Sequence, residues 1–362
     1  MLYQPGAHGK MAEVTVKKTL RLAVDANAID SPAAMASLSK GAELLRSGGT
    51  VAFPTETVYG LGANALNQAA VQGIFEAKQR PAWDPLIVHV ASEEQLLMVV
   101  CDIPHNGRLL MEAFWPGPLT LLLPKGLRVP SIVTAGRAKV GVRMPDHAVA
   151  RRLIELAGVP VAAPSANSFG RTSPTRADFV LQDLDGRIDA VIDSGETALG
   201  LESTVVDVCG EPPILYRPGM VTFAQVQALC PSLIAYREPQ DGDGAPAHEA
   251  PPSPGAGLKH YSPRARLILL EWPDAGKIQS LAEQLHAAGE SVGIMLPSTL
   301  SVGRPYVIYR WGDLADQAEL ARRLFAGLRE LDTAGATVIV CPLPQEQGLG
   351  IAIRDRLLKA AR

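Results

Sequence analysis

Several patterns that mark common classes of protein are missing from this sequence. No apolar run in its 362 residues approaches the ~20 residues that a helix needs to cross a bilayer, which predicts a soluble protein with no membrane contact. Its four cysteines form no C-x-x-C pair and follow no secretory leader, so they are expected to be the reduced thiols of a cytoplasmic protein. The 34 basic and 37 acidic residues nearly cancel, which excludes a general basic coat for nucleic acid. An anionic ligand would therefore need a local cluster of cations.

The standard motifs of phosphate binding, zinc binding and hydrolysis are missing too. There is no Walker A sequence, and Gly60-x-Gly62 lacks the remainder of a dinucleotide-binding fingerprint. The sequence has neither an H-E-x-x-H motif nor a cysteine quartet, so no metal site is predicted. It has no G-x-S-x-G elbow to suggest a hydrolase. Any phosphate or nucleotide site must be of a less common type.

Residues 50–90 combine apolar segments with unusual polar side chains. A strand predicted at 50–53 leads into a loop of hydroxyls and glycines, and then into a helix whose apolar face ends in Lys78. Lys78 and Arg80 lie at the end of this helix, where cations also complement the helix dipole. The next predicted strand carries His89 within an apolar run. Because these polar residues occur together, they are better site candidates than any one of them alone.

The order of predicted elements indicates two domains of the α/β class. Short apolar segments alternate with helical patterns over residues 27–236, after a tail at 1–26. Residues 237–265 are rich in proline, glycine and charge, which predicts an extended linker. The alternation resumes over 266–362 and predicts a smaller, Rossmann-like doubly wound domain.

Cations and hydroxyls recur at the predicted strand ends, where open α/β sheets hold their ligands. Each has a simpler explanation when taken singly, since strand-end cations are commonly solvated and Ser and Asn are common in turns. Together they supply the charge and the donors that a nucleoside triphosphate needs, without a nucleophile. The sequence therefore predicts a phosphate or nucleotide site. Its candidate residues are Thr57, Lys78, Arg80, Lys139, Arg143, Ser165, Ser173, Ser203 and Arg217.

Seven short motifs follow one another along nearly the whole chain. They are P-T-E-T-V-Y-G-L at 54–61, K-x-R at 78–80 followed by P-L-I-V-H at 85–89, V-R-M-P at 142–145, P-S-A-N-S at 164–168, E-S-T-V at 202–205, R-P-G at 217–219 and H-Y-S-P at 260–263. In these motifs and their order the chain resembles the YrdC-type fold, and more closely the long, two-domain form of the threonylcarbamoyl-AMP synthase family. The resemblance implies a twisted mixed sheet with helices and a concave cationic site, followed by the Rossmann-like domain.

The resemblance also implies an activity. The chain would be a nucleotidyltransferase that joins L-threonine, bicarbonate and ATP into threonylcarbamoyl-adenylate and releases pyrophosphate. A threonylcarbamoyl transferase would use this product to modify the adenosine beside the anticodon of tRNA. The threonine amine would be carboxylated, and the carbamate would attack the α-phosphorus of ATP. Such a reaction needs positioning and charge neutralisation, with Mg²⁺ on the phosphates as the expected helper.

Roles follow from the position of each residue in the matching motifs. The resemblance implies that L-threonine is bound by Thr57, His89, Arg143, Ala163 and Ser203, with Arg143 forming an ion pair with the carboxylate of the substrate. It implies that ATP is bound by Arg80, Asp84, Lys139, Ser165, Ser173, Arg217 and Tyr261. It assigns catalytic roles to Lys78, Arg80, Ser165 and Asn167. His260 and Tyr261 would form a lid that shields the labile carbamate from water.

Two positions depart from the family's pattern. Asp84 stands where the family often has Asn, so its carboxylate must bind Mg²⁺ or point away from the phosphates. Residues 253–259 keep the family's S-P-G start but lack its M-K-Y-R continuation, which makes the contacts of the lid harder to predict.

Two other functions remain as alternatives. The same cations could serve an RNA-binding YrdC-type module, or weak RNA binding beside the synthase activity, which would depend strongly on salt. The hydroxyl loop and the lid argue against this module, because an RNA surface needs neither. A domain that processes carbamoyl phosphate, as in hydrogenase maturation, is the third hypothesis. The lack of acylphosphatase-like and zinc-finger segments argues against it.

Overall fold

The computed structural model describes residues 18–237, 260–271, 274–303 and 305–362. Most of the predicted tail, to residue 17, and most of the predicted linker, 238–259, lie outside the described residues, and so does the segment 253–259. Two sheets divide the described chain into a first domain, to residue 237, and a second domain, from residue 266. The predicted α/β class is confirmed.

The first domain is built on an eleven-stranded mixed sheet. Its strands are β1 (Leu20–Ala23), β2 (Val51–Phe53), β3 (Gly60–Asn64), β4 (Ile87–His89), β5 (Leu119–Pro124), β6 (Lys139–Arg143), β7 (Val161–Ala162), β8 (Ala190–Asp193), β9 (Thr204–Asp207), β10 (Ile214–Arg217) and β11 (Ile234–Ala235). They lie in the order β1-β8-β2-β3-β7-β4-β6-β5-β9-β10-β11. β1 pairs in parallel with β8, so the prediction that residues 1–26 form only a tail is wrong for this strand.

Helices cover both faces of this sheet. Ala52 of β2 packs into the core that contains α2, whereas its neighbours Val51 and Phe53 pack into the core that contains α1 and α6. This follows from the alternation of side chains along a strand. The helices are α1 (Pro32–Arg46), α2 (Gln68–Lys78), α3 (Glu93–Leu97), α4 (His105–Phe114), α5 (Ser131–Thr134), α6 (Ala148–Ala157), α7 (Ala177–Leu184) and α8 (Phe223–Leu229), with a 3-10 turn at Ala26–Ala28.

Side-chain caps fix the starts of two helices in the first domain. The Ser31 side chain accepts a backbone hydrogen bond, and Pro32 occupies the first position of α1. The capping-box spacing from Ser92 to Gln95 is only half used in α3. Ser92 Oγ accepts from Gln95 N at 3.3 Å, but the Gln95 side chain accepts from Ala91 N instead of Ser92 N.

The central strands bring the predicted site residues to one edge of the sheet. β4 and β6 are parallel neighbours, and His89 lies directly opposite Arg143 in their register. β6 is followed across the sheet by β5, β9 and β10, and Arg217 ends the last of these. Lys139 begins β6 while Arg143 ends it, so the two are separated by ~13 Å at ~3.3 Å per residue.

The second domain is a four-stranded parallel sheet with helices on both faces. It contains β12 (Arg266–Leu270), β13 (Val292–Pro297), β14 (Val307–Gly312), β15 (Val338–Pro342), α9 (Ala275–Ala287), α10 (Gln317–Thr333) and α11 (Gly350–Ala360). α9 packs on one face, and α10 and α11 pack on the other. The strand order β12-β15-β13-β14 places the last strand beside the first, unlike the 3-2-1-4 order of dinucleotide-binding domains. No helix in the described parts of the chain is long and apolar enough to span a membrane.

The two domains share a tightly packed interface. Val58 and Leu201 of the first domain belong to the same apolar cluster as Leu324 and Phe325 of α10. Gly200, at φ +68°, lies so close to α10 that a Cβ atom there would be 2.3 Å from the carbonyl oxygen of Arg322. Only glycine permits both this φ and this approach. The domains are therefore held in contact beside the strand ends that carry the predicted site.

Candidate active site

A cleft at this edge of the first sheet contains most of the predicted site residues. Ten of the fifteen line it: Thr57, Arg80, His89, Arg143, Ala163, Ser165, Ser203, Arg217, His260 and Tyr261. All five residues assigned to L-threonine are among them. The other five lie behind its wall or away from it: Lys78, Asp84, Lys139, Asn167 and Ser173.

Arg143 is fixed within the cleft by three partners. Its Nη1 donates to Thr57 Oγ1 at 2.9 Å, and its Nε donates to the carbonyl oxygen of Gly117 at 3.1 Å. Its Nη2 forms an ion pair with Glu56, and both side chains are less than a tenth exposed. The hydroxyls of Thr55 and Thr57 are 2.8 Å apart, which fixes Thr57 in turn. The guanidinium is therefore preorganised, with its charge balanced from behind by Glu56.

His89 offers a neutral imidazole next to Arg143. Its ring packs edge-on against Phe53, at 6.1 Å between centroids, and its buried Nδ1 has no hydrogen-bond partner among the described residues. Burial, and then the charge of Arg143, lowers the pKa of His89 to about 3. At neutral pH the ring is uncharged and can exchange a hydrogen bond with a polar ligand.

The depressed pKa of His89 predicts a loss of stability in acid. The unfolded chain takes up a proton near pH 6.5, whereas the folded chain resists it until pH reaches about 3. The unfolded state binds more protons within this window, so the free energy of unfolding should fall as pH drops, by up to ~1.4 kcal/mol per pH unit. Urea unfolding between pH 7 and pH 4 measures this slope, and His89→Gln should flatten it. Parallel curves for the variant and the unchanged chain would contradict the assignment.

Arg217 and Ser203 connect the residues assigned to L-threonine with the residues assigned to ATP. Arg217 donates from Nε to the Ser203 carbonyl oxygen and from Nη2 to the Ser203 hydroxyl, both at 3.0 Å. That hydroxyl also lies 2.8 Å from Thr120 Oγ1 on β5. The Ser203 hydroxyl therefore links Thr120 of β5 to Arg217 of β10 through hydrogen bonds.

Lys78 stabilises the cleft from behind its wall. It ends α2, is buried, and donates from Nζ to the carbonyl oxygens of Ser165 and Asn167, each at 2.5 Å. Burial lowers its pKa well below the ordinary lysine value. The side-chain amide of Asn167 turns away to the carbonyl oxygens of Ser168 and Arg171. Lys78 and Asn167 therefore stabilise the loop that carries Ser165, and neither side chain lines the cleft.

Asp84 does not line the cleft itself but pairs with Arg80, which does. Arg80 Nη2 lies 2.9 Å from Asp84 Oδ2, and Arg80 Nε donates to the Asp84 carbonyl oxygen at 3.1 Å. His260 Nε2 lies 3.9 Å from the same Oδ2 atom. Within the described ranges no three His, Cys, Asp or Glu side chains group closely enough to hold a metal ion. The carboxylate therefore orients Arg80.

Lys139 and Ser173 also lie outside the lining. Lys139 begins β6, the end away from Arg143, and its Nζ lies 2.5 Å from Asp207 Oδ2. Ser173 is fully buried and donates its hydroxyl to Glu202. Neither contact with ATP is supported by this geometry, because strand length separates Lys139 from the cleft and Glu202 occupies the Ser173 hydroxyl.

The segment His260–Pro263, which we call the lid, contributes His260 and Tyr261 to the lining of the cleft. Ser262 N donates to the Gly170 carbonyl oxygen at 2.8 Å, which holds the lid against the first domain. Tyr261 has φ +65°, a strained value for a bulky residue, and its ring stacks on Phe325 of α10 at 5.6 Å. Both ring nitrogens of His260 and the hydroxyl of Tyr261 are buried with no hydrogen-bond partner among the described residues. Buried polar groups are nearly always paired, so these atoms indicate where a polar ligand would bind.

Three charged residues in or behind the wall of the cleft were given no role by the sequence analysis. Glu56 and Glu202 lie within the matching motifs but were assigned no role, and Arg356 of α11 lies outside all of these motifs. Arg356 is fully buried and forms an ion pair with Glu202 at 2.8 Å. It lies on the same helix face as the buried Ile353 and Leu357. A cation within an apolar stripe was therefore the available signal, as it was for Lys78.

Comparison with protein families gives two adjoining matches. The Sua5/YciO/YrdC family, described as "Telomere recombination", matches residues 43–219. The "Threonylcarbamoyl-AMP synthase, C-terminal domain" family matches residues 221–362. The second match begins within the first sheet, since β11 at Ile234–Ala235 pairs with β10. The division of the chain at 27–236, 237–265 and 266–362 stays a prediction.

Full-length relatives extend these matches over most of the chain. The threonylcarbamoyl-AMP synthase of Pyrococcus abyssi is 43% identical over 323 residues, which cover 88% of this chain and 92% of the relative. The Bacillus subtilis protein of the same name is 41% identical over 326 residues, covering 90% and 92%. The crystal structure of P. abyssi Sua5 complexed with L-threonine has a TM-score of 0.86 and 40% identity, covering 95% of this chain and 98% of that one. The chain belongs to the threonylcarbamoyl-AMP synthase family.

Proposed function

We propose that this enzyme joins L-threonine, bicarbonate and ATP into L-threonylcarbamoyl-adenylate and releases pyrophosphate. The observation that carries the proposal is a cleft lined by fixed arginines and closed by a lid whose polar atoms lack partners among the described residues. The names of the full-length relatives support the same reaction. The two ends of the cleft differ in chemistry, and each suits a different substrate.

L-threonine would bind at the end formed by β4 and β6. Arg143 supplies a preorganised cation for the carboxylate, and Thr57 and Ser203 supply hydroxyls beside it. The neutral ring of His89 can accept a hydrogen bond from the amine without repelling it. The adjacent Ala163 leaves room for a small side chain. The P. abyssi protein was crystallised as a complex with L-threonine, which supports this assignment.

ATP would bind at the other end, between the K-x-R segment and the lid. Arg80 and Arg217 supply charge for phosphate oxygens, and Ser165 follows the neighbouring strand β7. Both arginines are held by hydrogen bonds to backbone carbonyl oxygens, so neither needs to reorganise when charge develops. Burial raises the pKa of Tyr261 to about 12, so its hydroxyl stays protonated as a donor. Magnesium would arrive as the ATP complex, bound through phosphates and water, since no described cluster of side chains could hold it.

The chemistry needs these side chains to orient and to stabilise charge. The threonine amine would attack the carbon of bicarbonate and displace water, which gives a carbamate. A carbamate oxygen would then attack the α-phosphorus, and the bond between that phosphorus and the bridging oxygen of pyrophosphate would break. Charge builds on the phosphate oxygens during this step, where Arg80 and Arg217 lie. The lid would exclude the water that otherwise hydrolyses the carbamate.

The proposed function also includes a downstream enzyme and a cellular location. A separate transferase would carry the threonylcarbamoyl group to tRNA, because an acyl-adenylate is reactive and calls for an acceptor. A cytoplasmic site of action fits the four unpaired cysteines, which persist as thiols in reducing compartments. The RNA-binding alternative is disfavoured, since Arg80, Arg143 and Arg217 are each at most 7% exposed and cannot reach a nucleic-acid backbone.

The test is an assay of pyrophosphate release. The purified chain is incubated with ATP, bicarbonate and Mg²⁺, with L-threonine, D-threonine or neither. We expect release only with L-threonine, together with an adenylate that hydrolyses to AMP. Release that ignores threonine would overturn the proposal. So would absence of release combined with tight, salt-dependent RNA binding, which would favour the RNA-binding module.

A further inference from the structure

The last helix of the chain places one arginine within the wall of the cleft. Arg356 of α11 is fully buried and reaches across the domain interface. Its Nε donates to Glu202 Oε2 at 2.8 Å, and its Nη2 donates to the Pro218 carbonyl oxygen at 3.0 Å. Its guanidinium carbon lies 5.2 Å from the centre of the Tyr261 ring. Among its hydrogen bonds to described residues, the one to Asp355 stays within the second domain.

Each of these partners belongs to a segment that carries a cleft residue. Glu202 lines the cleft itself, and its other carboxylate oxygen accepts from the Ser173 hydroxyl. Pro218 directly follows Arg217, and Tyr261 is part of the lid. A single guanidinium of the second domain therefore contacts the E-S-T motif, the R-P-G motif and the lid together.

The closed conformation of the lid needs such outside support. Tyr261 adopts φ +65°, which a bulky residue holds only where its surroundings enforce it. The support comes from the second domain, where the ring stacks on Phe325 and lies beside Arg356. A cation on an aromatic face is attracted electrostatically, most strongly where water is excluded.

We infer that Arg356 is a positioning residue, which holds Glu202 and Tyr261 in the arrangement that closes the ATP end of the cleft. The second domain is thereby part of the active site, although none of its own residues lines the cleft among those described. This inference rests on the proposed function for its kinetic consequence. Its structural consequence, a lid held by Arg356, can be measured without turnover.

The experiment compares Arg356→Met with Arg354→Met on the same helix. Arg354 is a matched control because it pairs with Glu271 and the Pro344 carbonyl oxygen, both within the second domain. Arg356→Met should raise KM for ATP at least about tenfold, since small displacements of positioning groups have large effects. Threonine affinity, measured by calorimetry, should stay within about threefold, because Arg143 is held by Thr57, Gly117 and Glu56 and not through Glu202 or the lid. Hydrogen exchange at the Ser262 amide, which docks the lid, should accelerate.

The inference is overturned if Arg356→Met matches Arg354→Met in KM for ATP and in exchange at Ser262. Equal weakening of ATP and threonine binding, as from general loosening, would also overturn it. If Arg356→Met does not fold, Arg356→Lys is compared with Arg354→Met in KM for ATP and in exchange at Ser262. The lysine keeps a charge beside Glu202 but loses the forked contact to Pro218. If the unchanged chain releases no pyrophosphate, the proposed function fails, and the exchange comparison still tests the contact between Arg356 and the lid.

Discussion

Arg143→Ala is expected to lower kcat/KM for L-threonine at least about a hundredfold, the scale seen when a preorganised charge-stabilising donor is removed. The guanidinium is the cation nearest to Thr57 and His89, so its loss leaves the substrate carboxylate without a partner. It also leaves Glu56 as a buried, uncompensated carboxylate, which should cost about 3–5 kcal/mol of stability. Steady-state kinetics and urea unfolding measure the two effects separately.

Two further variants separate binding from folding at this position. Arg143→Lys keeps a charge for Glu56 but loses the fork, so it should recover much of the stability and little of the threonine affinity. Arg128→Ala, on an exposed arginine of the first domain, should change neither. If Arg143→Ala lost stability but bound threonine normally, Arg143 would serve only to neutralise Glu56, and the threonine site would lie elsewhere.

Lys78→Met is expected to damage the ATP end of the cleft from behind. Two buried carbonyl oxygens, of Ser165 and Asn167, lose their shared donor, at about 1–3 kcal/mol for each group left unsatisfied. The loop that presents Ser165 should then shift, and KM for ATP should rise at least about tenfold. The measurement combines urea unfolding with initial rates over a range of ATP concentrations.

Lys125→Met is the matched control for that substitution. The Lys125 side chain donates to the Val129 carbonyl oxygen at 3.2 Å and is only partly buried. It should lose less stability and leave KM for ATP unchanged. A Lys78→Met protein with reduced stability but normal kinetics would show that Lys78 supports the fold without shaping the cleft.

Local sequence patterns correctly predicted the alternation of strands and helices along the chain. The apolar spacing that ends in Lys78 predicted the helix α2. Polar residues at strand ends converged on one cleft, because neighbouring strands present their ends at the same edge of the sheet. These features depend on contacts close in sequence or on the general rule for α/β sheets.

The pairing of charges could not be predicted in the same way. Glu56 and Arg143 are far apart in sequence, as are Glu202 and Arg356, and only the folded chain brings them together. The sequence therefore overstated the free positive charge of the site and placed Lys78 within it. The strand β1 was missed for the same reason, since its four residues gain their partners from β8 at the far end of the domain.

The apolar cluster beneath the lid has a consequence for cooperativity. Val58, Leu201 and Tyr261 pack with Leu324 and Phe325, so residues from outside the second domain complete its core. Heat should therefore melt both domains in a single transition, because neither can lose its packing without exposing the other. A fragment that ended at residue 237 would present this surface to water as a contiguous apolar patch, and such patches promote aggregation.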